Sequence, residues 1–234
     1  MSKTQIGRRN AIGKLSFAGV ALLAGSRCGD GTTTGPEETT TATTTTSGSA
    51  SSSPACVLTP ALTEGPFYFD AGQIRRDITE GRPGTPLLLA LDVVSASSCS
   101  PLRDAVVDVW HCDAIGLYSG YGSEGTAGER FLRGIQVTNS DGRVEFDTIY
   151  PGFYRGRTIH IHFKIHLDER TAVTSQLFFP ESVNDAVMTT NPYSDSGTRD
   201  TRNSSDSIFT SSTVLDVSAD GGGYAASLVI GVSA

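Results

Sequence analysis

The chain has 234 residues, enough for one domain or two small ones, and a formal net charge of −7. Residues 1–55 hold five basic and three acidic side chains, which leaves 13 basic against 22 acidic in the remainder; this excludes a nucleic-acid surface, which needs dense Lys and Arg. No run of 18 apolar residues occurs beyond the first 25, which excludes a bundle of membrane-spanning helices.

Residues 1–27 read as an export signal. Arg8-Arg9 precede the apolar run Leu15–Gly25, which suits a signal core and is too short to span a bilayer. The arginine pair points to a twin-arginine signal, with an ordinary secretory signal as the alternative. Cys28 follows as a candidate lipid anchor, although Arg27 is not the small residue that lipidation favours. Residues 28–55 read as a Ser/Thr-rich disordered linker, because 32–55 lack any large apolar side chain. An exported protein in the extracellular space or cell envelope is expected, its folded domain spanning 56–234, with no transmembrane helix in the mature chain.

Beyond Cys56 the punctuation is dense and the runs are short, as in an all-β chain. Strands are expected at Leu87–Val94 and Ala105–Trp110, with a turn at Ser97–Leu102 between them. Arg133–Thr138 and Arg143–Phe146 flank Asp141-Gly142 and read as a hairpin. Further strands are expected at Thr158–Leu167, Gln176–Phe179, Ser211–Val217 and Tyr224–Val232, with no convincing helical period. The class is an antiparallel β-sandwich or barrel.

Thr158–Leu167 alternates fully: Ile159, Ile161, Phe163, Ile165 and Leu167 on one face, His160, His162, Lys164 and His166 on the other. Two imidazoles at i and i+2, roughly 6.6–7 Å apart at Cα, can converge on one ion. A polar, solvent-facing strand is the plain alternative. His166 lies roughly 13 Å beyond His162, too far to share that ion. Tyr118 follows Gly116-Leu117, and Tyr154 closes Pro151-Gly152-Phe153. Two phenols with two imidazoles favour an oxophilic ion such as Fe(III) over Zn or Cu.

The ordered motifs Thr63–Tyr68, Val109–Ala114, Gly116–Ser119, Phe131–Gly134, Pro151–Tyr154, Arg157–His162 and Ser175–Phe179 resemble those of the intradiol ring-cleavage dioxygenases, in their exported branch. The resemblance covers roughly residues 56–210. It implies a transthyretin-like sandwich with long active-site loops and one non-haem Fe(III) per chain. The ligands would be Tyr118, Tyr154, His160 and His162, with Arg157 and Gln176 as catalytic residues. Pro66 and Tyr68 fall in its substrate-binding region. The implied reaction joins O2 to a small aromatic diol, cleaving the ring between the hydroxylated carbons to a muconate-type diacid. By motif position Tyr154 is the ligand the substrate displaces. The Tyr154–Arg157 spacing is shorter than in cytoplasmic members, and their helical N-terminal region is missing. His111 is then left as a structural hydrogen-bonding residue. Of the cysteines, Cys56 pairs with either Cys99 or Cys112. The rival readings are a ligand-binding sandwich on an envelope stalk and a Zn or Cu enzyme built on the His pair.

Overall fold

The computed structural model describes residues 56–168 and 170–234. The expected signal, Cys28 and the linker lie outside the described residues.

Eight strands form two four-stranded sheets among the described residues. In the first, β1 (Pro86–Ser95) pairs antiparallel with β4 (Arg143–Ile149) and parallel with β8 (Gly223–Val232), and β7 (Asp216–Asp220) closes the edge beside β8. In the second, the order is β3 (Arg133–Val137), β2 (Val106–Trp110), β5 (His160–Leu167) and β6 (Arg170–Phe178), all antiparallel. A period of two sends alternate residues to one face, and the apolar ones meet in a single core. Leu89, Leu91 and Phe146 from the first sheet share that core with Val107, Ile161 and Phe163 from the second, all fully buried. Truncating a side chain such as Phe163 to Ala costs about 3–5 kcal/mol at such a site.

The expected Asp141-Gly142 hairpin is not formed. The turn exists: Asn139 Oδ1 accepts from the N–H groups of Asp141 and Arg143 at 2.9 and 3.0 Å. Its flanking strands, β3 and β4, however, belong to different sheets. The turn docks instead on β1, where Val93 N–H donates to the Gly142 carbonyl at 2.8 Å. Gly142, at φ +74°, presses so close that a Cβ would stand 2.4 Å from the Val93 oxygen. Arg143 then pairs with Asp92 of β1 at 3.1 Å, and the chain crosses from one sheet to the other.

Two further differences are local. A helix, α1 (Glu181–Val187), follows Pro180; its seven residues are too few to show a helical period. Ser211–Thr213 is a 3₁₀ turn, so the strand expected at Ser211–Val217 begins only at Asp216.

A disulfide joins Cys56 to Cys99, across 43 residues, and Cys112 is a buried free thiol. The bridge fixes the start of an irregular strap, residues 56–69, to the turn after β1. Along the strap, Thr59 N–H donates to Gly231 O of β8, and Leu62 N–H to Thr174 O of β6, both at 2.9 Å.

Candidate metal centre and active site

The register across the second sheet builds the site. Trp110 of β2, His162 of β5 and Gln176 of β6 stand in one row, with His160 two residues earlier on β5. The polar face of β5 is not solvated: His160 and His162 are 2% and 1% exposed. The strap covers this face. Gly65 packs so close that a Cβ there would touch the His162 ring at 3.3 Å.

Both imidazoles are oriented. His160 Nδ1 donates to the Thr158 carbonyl at 2.7 Å, which leaves the lone pair on Nε2. That Nε2 lies 3.0 Å from His162 Nε2 and 3.3 Å from the Tyr154 hydroxyl. The His162 ring stacks on Trp110, centroids 5.0 Å apart. Burial, reinforced by Arg157, pushes His160 down to about 3. Burial and then His160 hold His162 well below its ordinary value, so both rings are neutral at physiological pH.

The two tyrosines arrive on loops that touch. Gly116, at φ +90°, lies against the Phe153 carbonyl, and a Cβ would stand 2.3 Å from that oxygen. Gly152 N–H donates to Asp113 O at 3.0 Å, and the Asp113 carboxylate accepts from the N–H groups of Ile115 and Leu117. These contacts bring Tyr118 and Tyr154 to a ring separation of 5.8 Å. Tyr118 is fully buried under Phe67, while Tyr154 is half-buried. In the metal-free protein burial pushes both hydroxyls up, and Arg157 opposes this at Tyr154.

Among the described residues no three His, Cys, Asp or Glu side chains gather as a metal set, so a cation here would rely on the phenols. The donor set fits one. The Tyr118 hydroxyl is buried without a hydrogen-bond partner, a cost of about 1–3 kcal/mol for such a group. His162 Nε2 and the Tyr154 hydroxyl already converge within 3.3 Å of His160 Nε2.

Arg157 and Gln176 form one network beside the tetrad. Arg157 Nη2 donates to Gln176 Oε1 at 2.5 Å, and Gln176 Nε2 donates to Thr63 O of the strap at 2.8 Å. Arg157 Nε donates to Asp206 at 2.8 Å, a partner that sequence reading did not single out.

Tyr68 turns its hydroxyl to Asp108, lines a cleft of about 290 Å³ with Asp70 and His166, and packs its ring on Trp110 at 4.7 Å. Its ring is capped by Lys164 Nζ at 3.5 Å, and Lys164 pairs with Glu64. Pro66 is exposed and offers its carbonyl to the Tyr121 hydroxyl at 3.2 Å. Phe67, between them, is the residue that covers the site. His111 is a buried hydrogen-bonding residue, donating from Nδ1 to Cys112 O with Nε2 on Thr148, both at 2.8 Å. His166 contacts Thr171, beyond a bulge at Ala172 of β6.

The fold and the tyrosine–histidine cluster define the class. A family model described as "Dioxygenase" matches residues 60–225. A solved intradiol ring-cleavage dioxygenase from Tetranychus urticae is 33% identical, with a TM-score of 0.72, over 76% of this chain and 94% of that one. This chain belongs to the intradiol ring-cleavage dioxygenase family. The dioxygenase domain of a carbohydrate-binding fusion from Streptomyces sp. SirexAA-E is 30% identical, with a TM-score of 0.59, over 74% and 96% of the two chains. Catechol 1,2-dioxygenase 1 of Acinetobacter lwoffii is 28% identical over 141 residues, 50% of this chain and 45% of that protein. The chain thus spans about half the length of the curated relatives it matches.

Proposed function

We propose that this protein holds one non-haem Fe(III) through Tyr118, Tyr154, His160 and His162. With O2 it cleaves a catechol-type ring between the hydroxylated carbons, giving a muconate-type diacid. The observation that carries the reading is the convergence of His160 Nε2, His162 Nε2 and the Tyr154 hydroxyl beside the buried, unpartnered Tyr118 hydroxyl. The names of the catechol-cleaving relatives support the substrate class.

When bound, the iron supplies Lewis acidity toward the diol oxygens and a route for electron density from the ring toward O2. The chain's own residues do the rest. His160 and His162, neutral and held by Thr158 O and Trp110, present fixed lone pairs. Tyr118 is locked beneath Phe67 and stays in place. Tyr154 is more exposed and lies near Arg157, which favours its phenolate. Its phenolate oxygen would be the base that takes and holds a proton from the diol. Arg157 keeps a positive charge beside the position where the ring gains negative character, and Gln176 fixes its fork. The strap excludes water from the histidine side.

We extend the proposal to the rest of the chain. Supporting a transthyretin-like sandwich, the core draws on both sheets. Supporting export on the 1–27 signal, the Cys56–Cys99 bridge suits an oxidising compartment. Metal analysis and oxygen uptake with catechol test the function. About one iron per chain, a visible phenolate-to-iron band and a ring-opened diacid are expected. His160→Ala and His162→Ala should lose iron and colour, and the double change Tyr118→Phe with Tyr154→Phe should bleach the protein. A colourless, fully active enzyme would overturn the assignment, and stoichiometric Zn or Cu would favour the rival metalloenzyme.

A further inference from the structure

Asp206 lies on the loop after α1, 49 residues beyond Arg157 in sequence, with its side chain 1% exposed. One carboxylate oxygen, Oδ2, accepts from both Arg157 Nε and the Thr158 backbone N–H, each at 2.8 Å. The other, Oδ1, accepts from Ile208 N–H at 2.8 Å, so the carboxylate cannot rotate without losing a bond. Burial alone pushes this carboxyl up, but the Ile208 and Thr158 N–H groups, with Arg157, hold it below the ordinary carboxylate range. The same loop grips the neighbouring residues: Asp200 accepts from Gly156 N–H at 3.2 Å, and Asn203 from the Thr158 hydroxyl at 2.7 Å. Arg157 is therefore fastened at two points, Nε on Asp206 and Nη2 on Gln176. The remaining N–H groups of its fork are left for Tyr154 and for whatever binds beside it.

We propose that Asp206 is a positioning residue for ring cleavage, acting through Arg157: it fixes the guanidinium plane so that its free edge faces the reacting diol. This rests on the function proposed above. A merely structural ion pair would predict lost stability and no specific dependence on Arg157. Positioning predicts that the catalytic effect of Asp206 disappears once Arg157 is gone.

The test is a double-mutant cycle on the full iron-loaded chain with catechol as the probe, using Asp206→Asn, Arg157→Ala and the pair. Asn keeps the shape and an acceptor for Thr158 N–H, so Asp206→Asn should retain iron and the visible band. Its kcat should fall about 10-fold, as is typical when an orienting partner is lost, with KM within about twofold. In the Arg157→Ala background the same change should alter kcat less than about twofold. Multiplied losses, an unchanged kcat, or loss of iron in Asp206→Asn would each overturn the proposal; the last would place the role at Thr158 and His160 instead.

The same cycle, read as Tm on metal-free protein, tests the contact without chemistry. Arg157→Ala strands a buried carboxylate, so the double variant should melt at or above that single variant. Additive falls in Tm would overturn the contact. If the wild-type chain fails to turn over catechol, the ring-cleavage reading fails and takes the catalytic role with it, even where the Tm cycle shows coupling.

Discussion

The ring of Phe67 lies flat on that of Tyr118, with centroids 4.2 Å apart and planes within 8°. Phe67 also meets Tyr154 edge-on at 5.8 Å, so one strap residue touches both tyrosines. A stacked pair of this kind contributes about 0.5–1.5 kcal/mol beyond area burial. Phe67→Ala should therefore lower Tm by a few degrees and admit water to the Tyr118 oxygen. The visible band should shift in position while iron stoichiometry stays near one. An unchanged spectrum would show that the strap does not shield this tyrosine.

Arg157 donates to neither histidine, so Arg157→Ala should keep the metal and the colour. Catalysis should fall about 10²–10³-fold, the usual cost of a lost preorganised charge. Arg157→Lys should recover only part of this, since an ammonium cannot bond Asp206 and Gln176 in one plane. Stopped-flow spectra would check that catechol still perturbs the band. Near-normal turnover in Arg157→Ala would remove the guanidinium from the mechanism.

Gly116 sets how closely the two tyrosine loops approach. In Gly116→Ala the new methyl meets the Phe153 carbonyl at 2.3 Å, at a φ of +90° that Ala resists. The backbone term alone costs about 1–3 kcal/mol. The variant should melt lower and bind iron substoichiometrically even where it stays folded by circular dichroism. Full iron loading would mean that the loops can part without moving Tyr118.

The metal-free protein should lose stability as the pH falls below about 6.5. Burial pushes His111 down to about 4 and His160 to about 3, and holds His162 well below the normal range. Between those values and the unfolded value near 6.5 the unfolded chain binds more protons, so acid favours unfolding. Each imidazole contributes a slope of about 1.4 kcal/mol per pH unit. Asp108, pushed up to about 7 mainly by burial, works the other way, as a single carboxyl against three rings. Thermal melts from pH 7 to pH 5 should show Tm falling; a flat or rising Tm would contradict the buried neutral state of these histidines.

The β5 strand was legible because its alternation is complete, and the tyrosines because each follows a Gly-containing motif. Solvation of the polar face was not legible: a period of two assigns faces but not what covers them, and the cover comes from a strap a hundred residues away in the Glu64–Lys164 pair. The Asp141-Gly142 turn misled because its local chemistry is the same whether the next strand pairs back or crosses to the other sheet. Asp206 carries no local mark; only folding brings it to Arg157. In the strap, which has no regular period, the sequence could not tell that Phe67 faces the tyrosines and Tyr68 faces Asp108.

The strap also bears on the order of assembly. Its anchor at Thr59 exchanges hydrogen bonds with Gly231, 172 residues later, and Pro60 O holds the Ser175 hydroxyl at 2.7 Å. The strap precedes in sequence every strand it docks on: its Thr59 anchor waits for β8, while Pro60, Leu62 and Glu64 wait only for β5 and β6. Closing so long a loop is slow relative to local pairing. The roof over the histidines can thus seat on β5 and β6 before β8 closes the Thr59 anchor, and until those two strands emerge the nascent strap has no site to cover.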